Sequence, residues 1–360
     1  MARMKPAAKF GLILLVVGSI VGGLIGLNKA GVLAPEGQQA GKGNVPKGMF
    51  GSKSSGGDDV IKIGVVTWGG YAGGQYFNNG FNASANSRFT KEYGIKVQFK
   101  VIDDFVASRA AWKAGEVDLL WCTIDAFPTE VGGLKAYDPK FVFQADWSRG
   151  GDAIVVARGI NTANDLLGKK IAVAFGTPSH TFLLYALDAG DLNYTDVDVV
   201  EVSNAIDAAA IFKAGKVDAA VVWSPDDEDC VKNVNGAKIL MNTKKAGYII
   251  ADGFFAKSSY IESHRSEMKS LVEGWMKGAA EINASDAAKR KAAQILSAGF
   301  GSDIDETFCY NAINNVRLCT YTDNQKFFSM IPGGQMTGRR LYEKMGKLYK
   351  MINLVKGQLP

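Results

Sequence analysis

Two rhythms of apolar and polar positions run through residues 61–223, and they recur in the same order twice. IKIGVVTW (61–68) is a short apolar run closed by Gly-Gly, which predicts a buried strand. Residues 74–92 fit a helix, and IKVQFKVID (95–103) alternates with β-rich composition, so it predicts a second strand. Asp104 caps a helix expected to run to Lys113, and VDLLWCT (117–123) is a third strand. The order restarts with strand KKIAVAFG (169–176), a helix over 178–189, strand VDVVEVS (197–203), helix DAAAIFKAG (207–215) and strand VDAAVVW (217–223). Such alternation predicts mostly parallel sheets with helices on their faces, an α/β fold.

The two units also echo each other in letters. WKAGEVDLLW begins at Trp112 and FKAGKVDAAVVW at Phe212, with Lys, Ala, Gly, Val and Asp at the same offsets. Each copy is the end of a helix, the Gly that stops it (Gly115, Gly215) and the start of a strand. They mark equivalent places in two similar lobes. FVFQADW (141–147), DAIVVAR (152–158) and GYIIADGFFAK (247–257) are expected to cross between lobes, and 258–300 is helical by period. The expected division is a first lobe over 59–148, a second over 149–250, and a return to the first lobe with C-terminal helices over 251–360.

The N-terminus follows other rules. Residues 1–9 are basic and precede FGLILLVVGSIVGGLIGL (10–27), an uncharged stretch long enough to nearly cross a bilayer. Positive charge on its N-terminal side places that end in the cytoplasm and the rest outside. No clean cleavage site follows, which favours an uncleaved membrane anchor over a cleaved signal that would release the protein. Gly18, Gly22 and Gly26 share one helix face and offer a surface for self-association. Residues 28–58, rich in Gly, Ser, Lys and Pro, read as a flexible linker.

Charge sharpens this division. The 360 residues carry a net charge of +5, yet residues 1–57 hold seven Lys/Arg against one acid. The remainder is near neutral, so no nucleic-acid footprint shows. The four cysteines (Cys122, Cys230, Cys309, Cys319) form no C-x-x-C pair, so no metal site is signalled. Cys309 and Cys319 are the nearest candidates for a disulfide, with four separate buried thiols the alternative.

Ligands of open parallel sheets bind on the loops after the strands. Here these loops carry Trp68, Gly69 and Tyr71; Thr123 and Asp125; Thr177, Ser179 and His180; and Trp223 and Asp226. In FGTPSH, Thr177 and Pro178 suit N-cap and N1, so the backbone N–H groups of Ser179 and His180 and the Ser179 hydroxyl are expected to converge on an anion. The tryptophans and Tyr71 can wall a pocket or form a cation cage, and Asp125, Asp226 and Asp227 can meet an amine. Neither a nucleophile elbow, a Walker loop nor H-E-x-x-H occurs, so no catalytic residues, cofactor or metal are expected and the chain is not read as an enzyme.

GKKIAVAFGTPSH, KAGKVDAAVVWSP and KAGEVDLLWCTIDAF together resemble the periplasmic substrate-binding proteins of ABC importers, nearest the nitrate/sulfonate/taurine branch that includes thiamine-precursor binders. The resemblance spans about residues 60–300. It implies a two-lobed type II binding protein that closes around a small molecule and hands it to a membrane permease with its ATPase, on the extracytoplasmic face. It would place ligand contacts at Trp68–Tyr71, Thr123–Asp125, Thr177–His180 and Trp223–Asp226, with an oxyanion at Thr177. The wealth of Trp and Asp disfavours nitrate and favours a zwitterion such as a taurine-like sulfonate, with an aminopyrimidine or a non-transport sensor or scaffold as alternatives.

Overall fold

The structure, a computed structural model, describes residues 60–302 and 304–356. The basic N-region, the apolar stretch 10–27 with its Gly18–Gly22–Gly26 face, and the linker 28–58 lie outside the described residues. Among the described residues no helix is long and apolar enough to cross a membrane.

The chain begins with β1 (Val60–Val65), a one-turn 3-10 segment (Gly69–Tyr71), α1 (Ala72–Asn78), α2 (Arg88–Tyr93) and β2 (Lys96–Val101). The single helix expected over 74–92 is therefore two. Asn79 turns left-handed (φ 56°) and stops the first, and the Ser87 side chain accepts from Phe89 N to start the second. α3 (Phe105–Ala114) is capped by Asp104, whose carboxylate accepts from Ala107 N at 2.6 Å. β3 (Leu119–Thr123), α4 (Phe127–Leu134) and β4 (Pro139–Ser148) follow.

β4 hands the chain to a second sheet. That part contains β5 (Asp152–Val156), β6 (Lys170–Ala174), α5 (Pro178–Ala189), β7 (Asp198–Val202), α6 (Ala205–Lys213), β8 (Ala219–Trp223), α7 (Asp226–Asn233) and β9 (Lys238–Asn242). β10 (Ala251–Lys257) returns, followed by α8 (Ser258–Ser263), α9 (Arg265–Ala284), α10 (Asp286–Phe300), α11 (Glu306–Asn314), β11 (Val316–Leu318), α12 (Tyr321–Phe327) and α13 (Gly338–Met351). The two echoed glycines terminate α3 and α6 at φ 79° for Gly115 and 67° for Gly215, the left-handed region that a side chain disfavours.

The first sheet runs β11-β4-β10-β3-β1-β2 and the second β7-β6-β8-β5-β9. Only β1 with β2 and β3, and β6 with β7 and β8, pair parallel; β10, β4 and β11, and β5 with β8 and β9, pair antiparallel. Mostly parallel sheets were expected, and the sheets are mixed. The physical reason is connectivity: strands that cross from one lobe to the other enter the far sheet running against its βαβ strands.

Each sheet has its own apolar core. In the first, Trp275 of α9 is fully buried between Phe99, Phe143 and Phe254, with ring centroids 5.7, 5.0 and 4.9 Å away. All four cysteines are buried free thiols. Cys309 and Cys319 do not pair, because α11 buries the first among Ala72 and Leu296 while the second packs in the core of the first sheet.

Candidate functional site

The crossing strands carry carboxylates into the region between the sheets. Asp252, at the start of β10, lies directly opposite Thr123 of β3 on one side and Asp146 of β4 on the other. Opposed residues project from the same sheet face, so the three form one row. Tyr71 OH donates to Asp252 Oδ1 at 2.8 Å, and Trp68 Nε1 donates to Asp146 Oδ2 at 3.2 Å. A Cβ at Gly70 would fall 1.7 Å from Asp146 Oδ2, so only glycine lets that carboxylate rest on the backbone there. Beside the row, Asp125 Oδ1 accepts from Ala251 N at 3.1 Å.

The second lobe adds two acids. Asp152 opens β5 opposite Trp223, and its Oδ2 accepts from Ser148 Oγ at 2.6 Å. Asp227 sits buried in the first turn of α7 and its charge reaches Asp152.

Asp125, Asp146, Asp152 and Asp252 are each at most 4% exposed, and among the described residues no Lys, Arg or His pairs with any of them. Nearby arginines are engaged elsewhere. Arg109 makes a two-pronged ion pair with Glu130 (2.6 and 3.0 Å) between the rings of Phe105 and Trp121, and Arg149 lies over Tyr248. Burial pushes the Asp125 and Asp152 carboxyls up to about 7. Burial first, and then the neighbouring carboxylates, hold Asp252 and Asp146 well above the usual carboxylate range.

Several polar atoms here are buried without a partner: Thr123 Oγ1, Asp125 Oδ2 and Asp146 Oδ1 from the first lobe, and Trp223 Nε1 and Asp227 Oδ1 from the second. Leaving such groups unpaired costs on the order of 1–3 kcal/mol each, more for a charge. The Trp68 and Trp223 rings stand 6.5 Å apart at 59°. Trp68 also lies against Gly151, where a Cβ would come within 2.2 Å of the indole. The lobes are joined further out by Asn315 Nδ2 to Ser224 Oγ (2.9 Å), Thr129 Oγ1 to Gly176 O (3.0 Å) and Tyr349 OH to Thr177 O (3.2 Å).

The start of α5 differs from the anion cradle expected there. Thr177 is the N-cap with Pro178 at N1, but its hydroxyl donates back to Ala174 O at 2.7 Å instead of capping. The His180 N–H is used within the turn by Thr177 O at 2.9 Å, and His180 Nδ1 accepts from Gly176 N. His180 packs among Phe175, Tyr194 and Tyr349, and burial lowers its pKa to about 4, so the ring is neutral. Ser179 Oγ remains buried and unpartnered.

Trp68, Tyr71, Thr123, Asp125 and Trp223 thus come together around the carboxylate row. Gly69 instead packs against the backbone of Ala312 in α11, and Asp226 is half-buried beside the charges of Lys213 and Asp229. Asp146, Asp152 and Asp252 were missed. Their signal is a lone acid inside an otherwise apolar strand, in FQADW, GGDAIVV and IIADGFF.

Comparison with known proteins fits this picture. The model of the NMT1-like family matches residues 82–297, more than half the chain. The taurine-binding periplasmic protein of Escherichia coli (strain K12) is 26% identical over 194 residues, which are 53% of this chain and 59% of that protein's length. The crystal structure of the periplasmic aliphatic sulphonate binding protein of Escherichia coli superposes with a TM-score of 0.64 at 18% identity, covering 84% of this chain and 90% of that one. The alkanesulfonate-binding protein of Xanthomonas axonopodis pv. citri bound to MOPS gives 0.63 at 16%, covering 85% and 97%. At these identities the structural likenesses show the fold alone: the α/β fold of periplasmic binding proteins, two sheets flanked by helices.

Proposed function

This chain belongs to the NMT1-like family, and from that premise we propose that it is an extracytoplasmic solute-binding protein. It takes a small molecule between its two lobes by hinge closure and delivers it to an ABC permease. One observation carries this reading: buried polar atoms from both lobes, Thr123 Oγ1, Asp125 Oδ2 and Asp146 Oδ1 of the first and Trp223 Nε1 and Asp227 Oδ1 of the second, have no partner among the described residues. A solute that enters between the lobes would supply those partners, and its binding free energy would hold the lobes together.

The relatives named above support a sulfonate- or taurine-like solute, and the carboxylates favour a zwitterion over a simple anion. The ligand-contact set is Trp68, Tyr71, Thr123, Asp125 and Trp223, extended by Asp146, Asp152, Asp227 and Asp252. Thermal unfolding of the full chain tests the reading. A solute at 100 times its dissociation constant adds about 2.7 kcal/mol, and small-angle scattering would show compaction on binding. A protein that is ligand-free by native mass spectrometry and gains neither stability nor compactness with any amine, sulfonate or zwitterion would overturn it.

A further inference from the structure

We propose that the cleft recognises its solute through a donor-rich organic cation, an alkylammonium or a guanidinium-type group, seated among Asp125, Asp146, Asp152 and Asp252. The inference rests on the solute-binding reading and names the chemistry of its ligand.

Four observations converge. The donors that already reach these carboxylates are all neutral: the Trp68 indole, the Tyr71 phenol, the Ser148 hydroxyl, the Ala251 amide and, at Asp125, the Thr181 hydroxyl. Among the described residues no side-chain cation pairs with the four acids: Arg109 is held by Glu130, and Arg149 lies over the Tyr248 ring. The atoms without partners are dominated by acceptors, Asp125 Oδ2, Asp146 Oδ1 and Asp227 Oδ1. Independently of the acids, the Thr123 hydroxyl, 2% exposed and opposite Asp252, is an unpartnered group on the same sheet face.

The start of α7, where an anion would normally be held, already carries the protein's own acids. Asp146 rests on the Gly70 backbone, and Asp226, Asp227, Glu228 and Asp229 fill the first turn of α7. A sulfonate entering this row would meet carboxylates, whereas an ammonium or guanidinium group brings both the positive charge and N–H donors. A quaternary ammonium would leave the acceptors unpaired, which is why the group must carry hydrogens on nitrogen.

The test is thermal unfolding of the full chain near neutral pH with propylamine, methylguanidine, taurine and ethanesulfonate, in the wild type and in Asp252→Asn and Asp146→Asn. The expected result is a saturable rise in melting temperature with propylamine or methylguanidine and none with ethanesulfonate. Each Asn variant should bind that cation at least tenfold more weakly, while its ligand-free form melts at the same or a higher temperature. A rise with ethanesulfonate and none with the cations would overturn the cation site and leave solute binding standing. Ligand-free variants that both melt below the wild type would show the acids to be structural and would also overturn it. No rise with any probe would remove support from both readings together.

Discussion

Asp146 and Asp252 stand directly opposite each other on β4 and β10, both buried, with a single neutral side chain donating to each. Like charges in opposed positions of an antiparallel pair are destabilising, and here water does not screen them. The row is therefore neutralised either by protons or by a bound cation, and stability follows whichever is present.

The first consequence is a pH dependence of the ligand-free protein. Asp125 and Asp152 hold their protons up to about 7, against a usual value of 3.8. Their contribution is complete below about pH 4 and is lost as pH rises through about 7, by on the order of a few kcal/mol per group. Asp146 and Asp252 act in the same direction. His180, lowered from 6.5 to about 4, opposes them, because its contribution is lost as pH falls through that window. The carboxylates outnumber it, so melting temperature measured without ligand should be higher at about pH 5.5 than at about pH 8. The reverse order would mean that the four acids are ionised without cost.

Thr123→Val separates binding from folding. The hydroxyl has no partner, and exchanging it for a methyl of the same shape removes a buried unsatisfied group. The ligand-free protein should gain about 1 kcal/mol in denaturant unfolding, while affinity for the solute falls. A loss of stability would show that the hydroxyl already has a partner in the free protein.

Tyr349→Phe addresses the outer joint. The phenol of α13 donates to Thr177 O at 3.2 Å and lies 2.7 Å from Thr181 Oγ1, all of it buried. Its removal leaves a carbonyl and a hydroxyl short of a partner, a loss of about 1–3 kcal/mol. Chemical denaturation should show this as a lower midpoint with an unchanged slope.

Gly151→Ala tests the seat of Trp68. The new methyl would lie 2.2 Å from the ring, so the indole must move and its bond to Asp146 lengthens or breaks. Solute affinity should drop at least tenfold, roughly the 1.4 kcal/mol that one lost bond to a charged group accounts for. Unchanged affinity would place Trp68 outside the binding wall.

Much of the scaffold was legible because it is local. The Gly115 and Gly215 echo reports helix ends, and the α5 boundaries follow from Thr177-Pro178 and the apolar run behind them. Pairing direction was not legible, since periodicity encodes which face a strand buries and says nothing of its partner's sense. The same blindness hid Asp146, Asp152 and Asp252. Each sits in a strand whose pattern reads as core, and only the crossing topology brings the three together. α4 was missed for a different reason: FPTEVGGL holds two glycines and little helix propensity, and packing decides its form.

The phenol of Tyr349 joins a strand-to-helix turn that lies 172 residues upstream in the chain. Every strand of both sheets except the edge strand β11, and all the acids between them, precede α8 in the chain. The carboxylate row is therefore built from residues that all lie upstream of the helix that fastens Thr177. Contacts of such separation form late and slowly. Of the three polar joints between the lobes, this one spans the longest stretch of chain, so its closure costs the most loop entropy.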